Sequence, residues 1–327
     1  MAKESPEPVT EVIETAGEWL PSALGEAEEA LDEATGRTGS LAGDAAATLR
    51  AGGKRMRPML VLLSAGPDGG DRAVRAATAV ELVHMASLVH DDVLDRAPLR
   101  RGRPTVFAES GRARATNLGD ALFAEAFGVL ARAGDDRAVG ILSGTTRDLV
   151  TGELVQRSQT GDLGLSEADY FERCRLKTGS LFSASCVLGG LTAFEDGAPD
   201  LDSLAAFGGA IGLAFQMLDD VLDISGPEER TGKAPGTDLL DGTVTLPVIV
   251  AIERDPGIRS VDLEGLDRES ALGLAGRIEA TGALDEVRER AIGLVEEAKA
   301  ALDGAGLPED RKTLLDLVAD GVVLRYS

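Results

Sequence analysis

The chain has 327 residues and a formal net charge of −23 at pH 7, which disfavours nucleic acid and anionic membrane surfaces as main partners. Hydrophobic residues make up 43% of it and aromatic residues only 3%, so Leu, Val, Ile and Ala must build the core, a composition that favours helices over strands. Without a basic-then-apolar leader or the roughly 18 uninterrupted apolar residues of a membrane span, we expect a cytoplasmic protein.

Helical periodicity dominates the sequence, interrupted by short clusters of Gly, Pro and Asp. In chain order we predict helices over residues 9–34, 56–65, 71–96, 114–132, 136–158, 167–194, 201–224, 242–253, 269–281, 284–303 and 308–325. No alternation of period two is long enough to predict a strand. The length alone allows two domains, but no compositional linker divides the chain. We therefore expect an all-α protein with a single domain over residues 1–327, a bundle of long antiparallel helices around a deep central cavity.

Two short acidic motifs stand late in long apolar helices, each directly before a turn. Their six aspartates are Asp91, Asp92 and Asp95 in HDDVLD, and Asp219, Asp220 and Asp223 in LDDVLD. Residues four apart lie on one helix face, about 6 Å apart along the axis, so the outer aspartates of each motif repel one another. Hard divalent cations bound through oxygen would remove that repulsion. One motif alone fits a solvated helix end equally well, but two copies favour carboxylates at the mouth of an apolar cavity.

Other polar residues align with these aspartates. The only two histidines, His84 and His90, both fall on the first of the two helices. His84 precedes Asp91 by seven residues, a spacing that places both on one stripe of the helix. A lone His on an apolar helix is more often a satisfied core residue, but the alignment favours a polar site. Gln216 stands three residues before Asp219, so it faces the same site.

Basic residues cluster beside glycines. Six of the 33 basic residues are Lys, and half of those six lie in the motifs GGKRMRP, LKTGSLF and TGKAPGTDLLDGTVTLP, as Lys54, Lys177 and Lys233. Arg100 and Arg101 follow the first aspartate motif after one turn. Ammonium and guanidinium groups suit phosphate oxygens, and guanidinium binds them in bidentate fashion. Taken singly, each of these residues fits an ordinary surface charge.

Taken in order, the motifs resemble the trans-isoprenyl diphosphate synthase (polyprenyl synthetase) family. Its pattern is GGKRxRP, DDxxD followed by RRG, a KT pair, FQxxDD with a further Asp, and GKxxGxD, here between Gly52 and Pro247. The resemblance implies the isoprenoid synthase fold and a magnesium-dependent prenyltransferase. Such an enzyme condenses isopentenyl diphosphate head to tail with an allylic diphosphate and gives an all-trans prenyl diphosphate. A homodimer, and three Mg²⁺ ions per active site with substrate bound, are also implied.

The resemblance further implies a role for each residue of the motifs. Direct magnesium ligands would be Asp91, Asp95 and Asp219, supported by Asp92, Asp220 and Asp223. The allylic diphosphate would be held by Arg100, Lys177 and Lys233. Isopentenyl diphosphate would be bound by Lys54, Arg57, His84 and Arg101. The residues implied to be catalytic are Lys177, Thr178 and Gln216, and Asp238 would act on the metal through water.

The length of the product is predicted from the turn before the first aspartate motif, where Ala86 and Ser87 stand. Family members that stop at short products commonly carry an aromatic residue at this level. An isoprene unit is comparable in length to one helical turn of about 5.4 Å, so one bulky residue can set the floor of the product tunnel. The two small residues therefore predict products of C20 or longer.

Two alternative functions stay open. A class I terpene cyclase also uses a DDxxD helix and magnesium, but its second metal motif normally has Asn or Asp, then Ser or Thr, then Glu. The corresponding positions here hold Asp219, Asp223 and Pro227. The other alternative is a non-catalytic subunit that modulates another synthase. Only Thr243 favours it, because the family commonly carries a second lysine there, and such subunits typically lose an aspartate motif whereas both are complete here.

Overall fold

The computed structural model describes residues 8–192, 199–226 and 235–324, so Lys233 lies outside the described residues. The helices are α1 (Pro8–Ala16), α2 (Trp19–Gly36), α3 (Ala42–Arg50), α4 (Met56–Ala65), α5 (Gly70–Leu94), α6 (Val106–Arg132), α7 (Asp136–Ser158), α8 (Glu167–Cys174), α9 (Ser180–Thr192), α10 (Leu201–Ser225), α11 (Thr237–Leu240), α12 (Leu246–Arg254), α13 (Arg268–Ala280), α14 (Ala283–Leu302) and α15 (Glu309–Leu324). Two-residue strands, β1 (Leu99–Arg100) and β2 (Arg103–Pro104), form an antiparallel hairpin between α5 and α6. The predicted all-α class is confirmed.

Where helix ends differ from the prediction, the cause is local. The helix expected over 9–34 is two helices, because Gly17 takes a φ of 73° between α1 and α2. Helix α6 has an additional first segment before residue 114, because the Thr105 hydroxyl caps it by accepting a 3.1 Å hydrogen bond from the backbone N–H of Ala108. Gly111, with a φ of 80°, interrupts the helical backbone between this segment and the predicted part. The helix expected from residue 242 begins only at Leu246, and α3 and α11 were not predicted.

The helix expected over 167–194 is interrupted by a π-helical turn at Arg175–Gly179. A π turn adds a residue to one turn of the helix and often marks a functional site. This one carries Lys177 and Thr178 between α8 and α9. Helix α7 passes close to it at Gly152, where an added Cβ would lie 2.6 Å from the backbone nitrogen of Lys177. A side chain at position 152 would therefore push the two segments apart.

Helix α10 is the apolar centre of the bundle and packs against α9 and α14. Gly208 permits the close approach to α9, because an added Cβ would lie 2.6 Å from the carbonyl oxygen of Phe182. By length and composition α10 is also apolar enough to cross a membrane. Buried core helices pass the same test, and the second aspartate motif at its end, with these contacts, fits a core helix.

Candidate active site

The carboxyl-terminal ends of α5 and α10 meet at one cavity of about 260 Å³, here called the acidic cavity. Its carboxylates are Asp91, Asp95, Asp220, Asp238 and Asp241. Its cations are Arg100, Arg157, Arg173 and Lys177. Thr178 and Gln216 also line it. The cavity thus joins residues of both aspartate motifs to the KT pair.

Around the first motif, the aspartates face cations. Burial raises the pKa of Asp91 to about 6, although Lys177 opposes the rise. The guanidinium of Arg157 donates a 2.7 Å hydrogen bond to Asp95. Asp92 is buried and accepts a 2.8 Å hydrogen bond from Nε of Arg100. The middle aspartate therefore holds Arg100 in place, while the outer two line the cavity.

The Lys177 ammonium lies among carboxylates. Nζ donates a hydrogen bond to Glu153 on α7, and Glu153 also forms a 2.8 Å ion pair with Arg157. Burial alone would lower the pKa of Lys177, but the charges of Asp91 and Glu153 outweigh it and raise that pKa above its ordinary value. Lys177 therefore stays charged.

Around the second motif, Asp220 is held by neutral donors. It is 2% exposed and accepts hydrogen bonds from the Tyr170 hydroxyl at 2.6 Å and from Nε2 of Gln216 at 2.7 Å. The Thr178 hydroxyl in turn donates to Oε1 of Gln216 at 2.9 Å. Burial, and then the charge of Asp238, raise the pKa of Asp220 well above its usual range, although its hydrogen bonds and the charge of Arg173 oppose the rise. Two of the predicted catalytic residues are thus linked to this aspartate.

The other two aspartates of the second motif do not line the acidic cavity. One carboxylate oxygen of Asp223 accepts a 3.0 Å hydrogen bond from the backbone N–H of Asp238. Asp219 lines a neighbouring cavity of about 510 Å³, here called the basic cavity, rather than the acidic cavity. All four residues predicted to bind isopentenyl diphosphate line it as well: Lys54, Arg57, His84 and Arg101.

Arg57 is a half-buried cation of the basic cavity. Burial lowers its pKa to about 10, so it remains charged at neutral pH. Burial and the nearby arginines hold the pKa of His84 well below its ordinary value. The neutral imidazole therefore accepts a 3.3 Å hydrogen bond from Nη1 of Arg57. Nε of Arg57 is buried without a hydrogen-bond partner, and its guanidinium lies 4.6 Å from the centroid of the Phe182 ring.

Two arginines of the basic cavity adopt a backbone conformation that is uncommon outside glycine. Arg55 has a φ of 48° and Arg101 a φ of 52°. Arg55 donates a 2.8 Å hydrogen bond to Glu81, a buried carboxylate on α5. Non-glycine residues held in this region cluster at functional sites, and these two belong to the motifs GGKRMRP and RRG.

Several residues of the site escaped the sequence analysis. Glu81 stands three residues before His84, so the helical spacing that selected His84 also indicates it. Glu153 and Arg157 lie four apart on α7, but no motif marks them. Tyr170 reaches Asp220 from another helix, a contact that no spacing within one element predicts.

The predicted product-length residues lie outside both cavities. Ala86 is fully buried. Ser87 is half-buried and donates a 2.9 Å hydrogen bond to the carbonyl of His84. Neither is among the residues that line the acidic or the basic cavity.

The carboxylates suit a divalent cation that is shared with a ligand. Within the described ranges, no three His, Cys, Asp or Glu side chains form a group that would hold a metal ion by themselves. Asp91 and Asp95 nevertheless offer oxygen donors to one cavity, and burial raises the pKa of Asp91 more than the charge of Lys177 lowers it. An ion bound here would complete its shell with water and with oxygens of a bound ligand.

Comparisons with known proteins agree on one family. Residues 40–270 match the family model described as Polyprenyl synthetase. Heptaprenyl diphosphate synthase component 2 of Geobacillus stearothermophilus is 39% identical, over 91% of this chain and 95% of its own length. Geranylgeranyl diphosphate synthase of Methanosarcina mazei is 36% identical, over 84% and 86%. The crystal structure of a polyprenyl synthase from Caulobacter crescentus, complexed with calcium and isoprenyl diphosphate, has a TM-score of 0.81 at 33% identity, over 93% and 96%.

Proposed function

Because this chain belongs to the polyprenyl synthetase family, we propose that it condenses isopentenyl diphosphate head to tail with an allylic diphosphate primer. The products would be inorganic diphosphate and an all-trans prenyl diphosphate. One observation carries the proposal: residues of both aspartate motifs line the acidic cavity, beside a basic cavity lined by all the predicted isopentenyl-binding residues. Two anionic substrates would thus lie side by side.

The acidic cavity would bind the allylic diphosphate together with Mg²⁺, three ions with substrate bound. Asp91, Asp95 and Asp219 would be direct ligands. The other three aspartates would support them: Asp92, Asp220 and Asp223. Bound magnesium would supply Lewis-acid stabilisation of the diphosphate as a leaving group. This role fits the carboxylate oxygens of the cavity. Asp238 would contact the magnesium through a bound water molecule.

The cations of the acidic cavity would stabilise the diphosphate as its bond to the allylic carbon breaks. Arg100 is oriented by Asp92, and Lys177 stays charged, so both are prepared to bind phosphate oxygens. Lys233 is proposed to join them. The linked side chains of Thr178 and Gln216 would lie near the allylic carbons.

The basic cavity would bind isopentenyl diphosphate through Lys54, Arg57, His84 and Arg101. The unpartnered Nε of Arg57 is a buried donor that a phosphate oxygen would satisfy. The double bond of isopentenyl diphosphate forms the new carbon–carbon bond, and a proton passes to the released diphosphate. Apolar side chains of this cavity, with Phe182 among them, would exclude water from the allylic cation.

Incubation with isopentenyl diphosphate and a C5, C10 or C15 primer tests the proposal. We expect a prenyl diphosphate longer than the primer, dependent on magnesium and abolished by chelation. Primer consumed without isopentenyl diphosphate, giving a cyclic hydrocarbon, would identify a cyclase instead. No turnover of any primer would contradict the proposal and favour the non-catalytic subunit.

We propose products of C20 or longer, with Ala86 and Ser87 on the wall of the product tunnel. The two relatives described above are named heptaprenyl and geranylgeranyl diphosphate synthase, and both names are compatible with this minimum. Ser87→Phe is the sharper test, because Ser87 is half-buried whereas Ala86→Phe would overpack a fully buried position. We expect a shorter product, with Ser87→Ala as the control for the lost hydroxyl. Unchanged length in both Phe variants would remove these residues from the tunnel.

We also propose a cytoplasmic homodimer, each chain being one domain. Packing of α1 against α15 brings the two ends of the described chain together, which supports the single domain. The relative named component 2 makes a second kind of subunit the alternative assembly. Light scattering of the purified chain distinguishes the two: a stable, active dimer supports the proposal, and an inactive monomer favours a missing partner.

A further inference from the structure

Arg173 is a buried guanidinium whose charge the proposed roles leave unused. It stands on α8, is 3% exposed, and lines the acidic cavity. Nη2 donates a 2.7 Å hydrogen bond to the carbonyl of Val244, and Nη1 donates at 3.1 Å to Oε1 of Gln159. Both acceptors are neutral. The guanidinium also lies 5.3 Å from the centroid of the Tyr170 ring.

The other three cations of the acidic cavity already form ion pairs. Arg100 pairs with Asp92, Arg157 with Asp95, and Lys177 with Glu153. Arg173 forms no ion pair with a carboxylate anywhere in 8–192, 199–226 or 235–324. Burying an unpaired charge costs several kcal/mol unless other groups compensate it. Within this cavity, Arg173 is therefore the cation best able to accept a new anion.

Arg173 lies beside a position at which the family commonly has a lysine and this chain does not. Thr243 lines the same cavity, at the position where the family resemblance expects a lysine. The residue after it, Val244, is the one whose carbonyl binds Arg173. A guanidinium from α8 thus lies beside the segment that lacks its own cation.

We propose that Arg173 replaces the lysine absent at Thr243 and binds the diphosphate group of the allylic substrate in the acidic cavity. Each terminal nitrogen of a guanidinium carries two N–H groups. One from each nitrogen suffices for Val244 and Gln159, so further donors remain for phosphate oxygens. The inference rests on the proposed function, since it needs a diphosphate in this cavity.

Arg173→Met tests the inference, because it removes the charge and keeps an apolar stem. With inorganic diphosphate and Mg²⁺ as the calorimetric probe, we expect binding to weaken about 10-fold to 100-fold. That range corresponds to a hydrogen bond to a charged group, at about 1.4 kcal/mol per factor of ten. The KM for the allylic primer should rise as well. Arg175→Met is the matched control, because Arg175 lies two residues away but is exposed and paired with Glu172.

Rescue separates binding of diphosphate from a merely structural role. Adding Thr243→Lys to Arg173→Met should restore most of the lost affinity for diphosphate, because it returns one charge to the same side of the cavity. A lower melting temperature in Arg173→Met with no rescue would overturn the inference and leave Arg173 as a structural group. Should Arg173→Met not fold, Arg173→Gln carries the same test, since its amide still offers hydrogen bonds without the charge.

Different results would contradict the proposed condensation activity and the proposed role of Arg173. Wild-type protein that condenses no primer with isopentenyl diphosphate contradicts the proposed function. Wild-type protein that does so, while Arg173→Met binds diphosphate within twofold of it, overturns only the role of Arg173.

Discussion

The two aspartate motifs differ in one letter, yet the structure surrounds them differently. In HDDVLD the middle and last aspartates, Asp92 and Asp95, each bind an arginine. In LDDVLD the middle aspartate, Asp220, instead has neutral hydrogen-bond donors. Asp220 accepts from a phenol and an amide, and Asp223 accepts from a backbone N–H. Equal sequence therefore does not imply equal electrostatics.

The cause lies in the elements packed against each motif. Helix α5 ends beside the β-hairpin and α7, which contribute Arg100 and Arg157. The end of α10 is covered by α8, which contributes the buried ring of Tyr170. Charged partners at a cavity surface can be exchanged for a metal and a diphosphate. Neutral buried partners fix a carboxylate in place, so we expect Asp220 to be held more rigidly than the exposed Asp95.

The largest expected effect is loss of a carboxylate from the first motif. Asp91→Asn removes a proposed magnesium ligand, and Lewis-acid stabilisation is worth several kcal/mol, so we expect kcat/KM to fall about 1000-fold. Steady-state kinetics with saturating magnesium measure it. Asp71→Asn is the control, since Asp71 lies on the same helix with its side chain 89% exposed. Activity within tenfold of wild type would exclude Asp91 as a metal ligand.

The next effect concerns the π turn that brings Lys177 to the first motif. Gly152→Ala would place a Cβ 2.6 Å from the Lys177 backbone nitrogen. Because the obstacle is backbone, we expect about 2–3 kcal/mol lower free energy of unfolding, with reduced activity in the folded fraction. Urea unfolding followed by circular dichroism measures it.

Gly144→Ala on the same helix is the control for Gly152→Ala. Nothing lies within 4 Å of a Cβ added there, so alanine should stabilise the protein by up to about 1 kcal/mol through helix propensity. Equal effects at both positions would show that α7 does not need glycine to approach the π turn.

The second motif should respond to loss of one neutral hydroxyl. Tyr170→Phe leaves one oxygen of Asp220 without its 2.6 Å donor. We expect about 1–2 kcal/mol lower free energy of unfolding, since a buried acceptor loses its partner, and a higher magnesium concentration for half-maximal activity. Ser185→Ala, which removes another buried hydroxyl bonded to a backbone carbonyl, should lower stability without changing the magnesium requirement. An equal magnesium requirement in Tyr170→Phe and Ser185→Ala would contradict a positioning role for Tyr170.

The sequence alone predicted some features of the fold and the site, and not others. Helices α7 and α10 were predicted nearly to the residue because apolar periodicity is a local property. The π turn at Arg175–Gly179 was not predicted, and its close contact with Gly152 on another helix is a tertiary feature that local periodicity does not encode. The aspartates were found through their repeated motif. Their partners were missed, because Tyr170 and Arg157 belong to elements whose approach depends on tertiary packing.

The smallest expected effect concerns an exposed ion pair of the first motif. Arg157 and Asp95 form a 2.7 Å ion pair, but their side chains are 38% and 52% exposed. Solvent screens such a pair, so Asp95→Asn, which leaves the ion pair between Arg157 and Glu153 in place, should lower the free energy of unfolding by only about 0.2–1 kcal/mol, less than Tyr170→Phe. Raising the salt concentration should shrink the difference from wild type further. A loss equal to that of Tyr170→Phe would mean that the first motif is held as rigidly as the second, and that its charged partners do not exchange for a ligand.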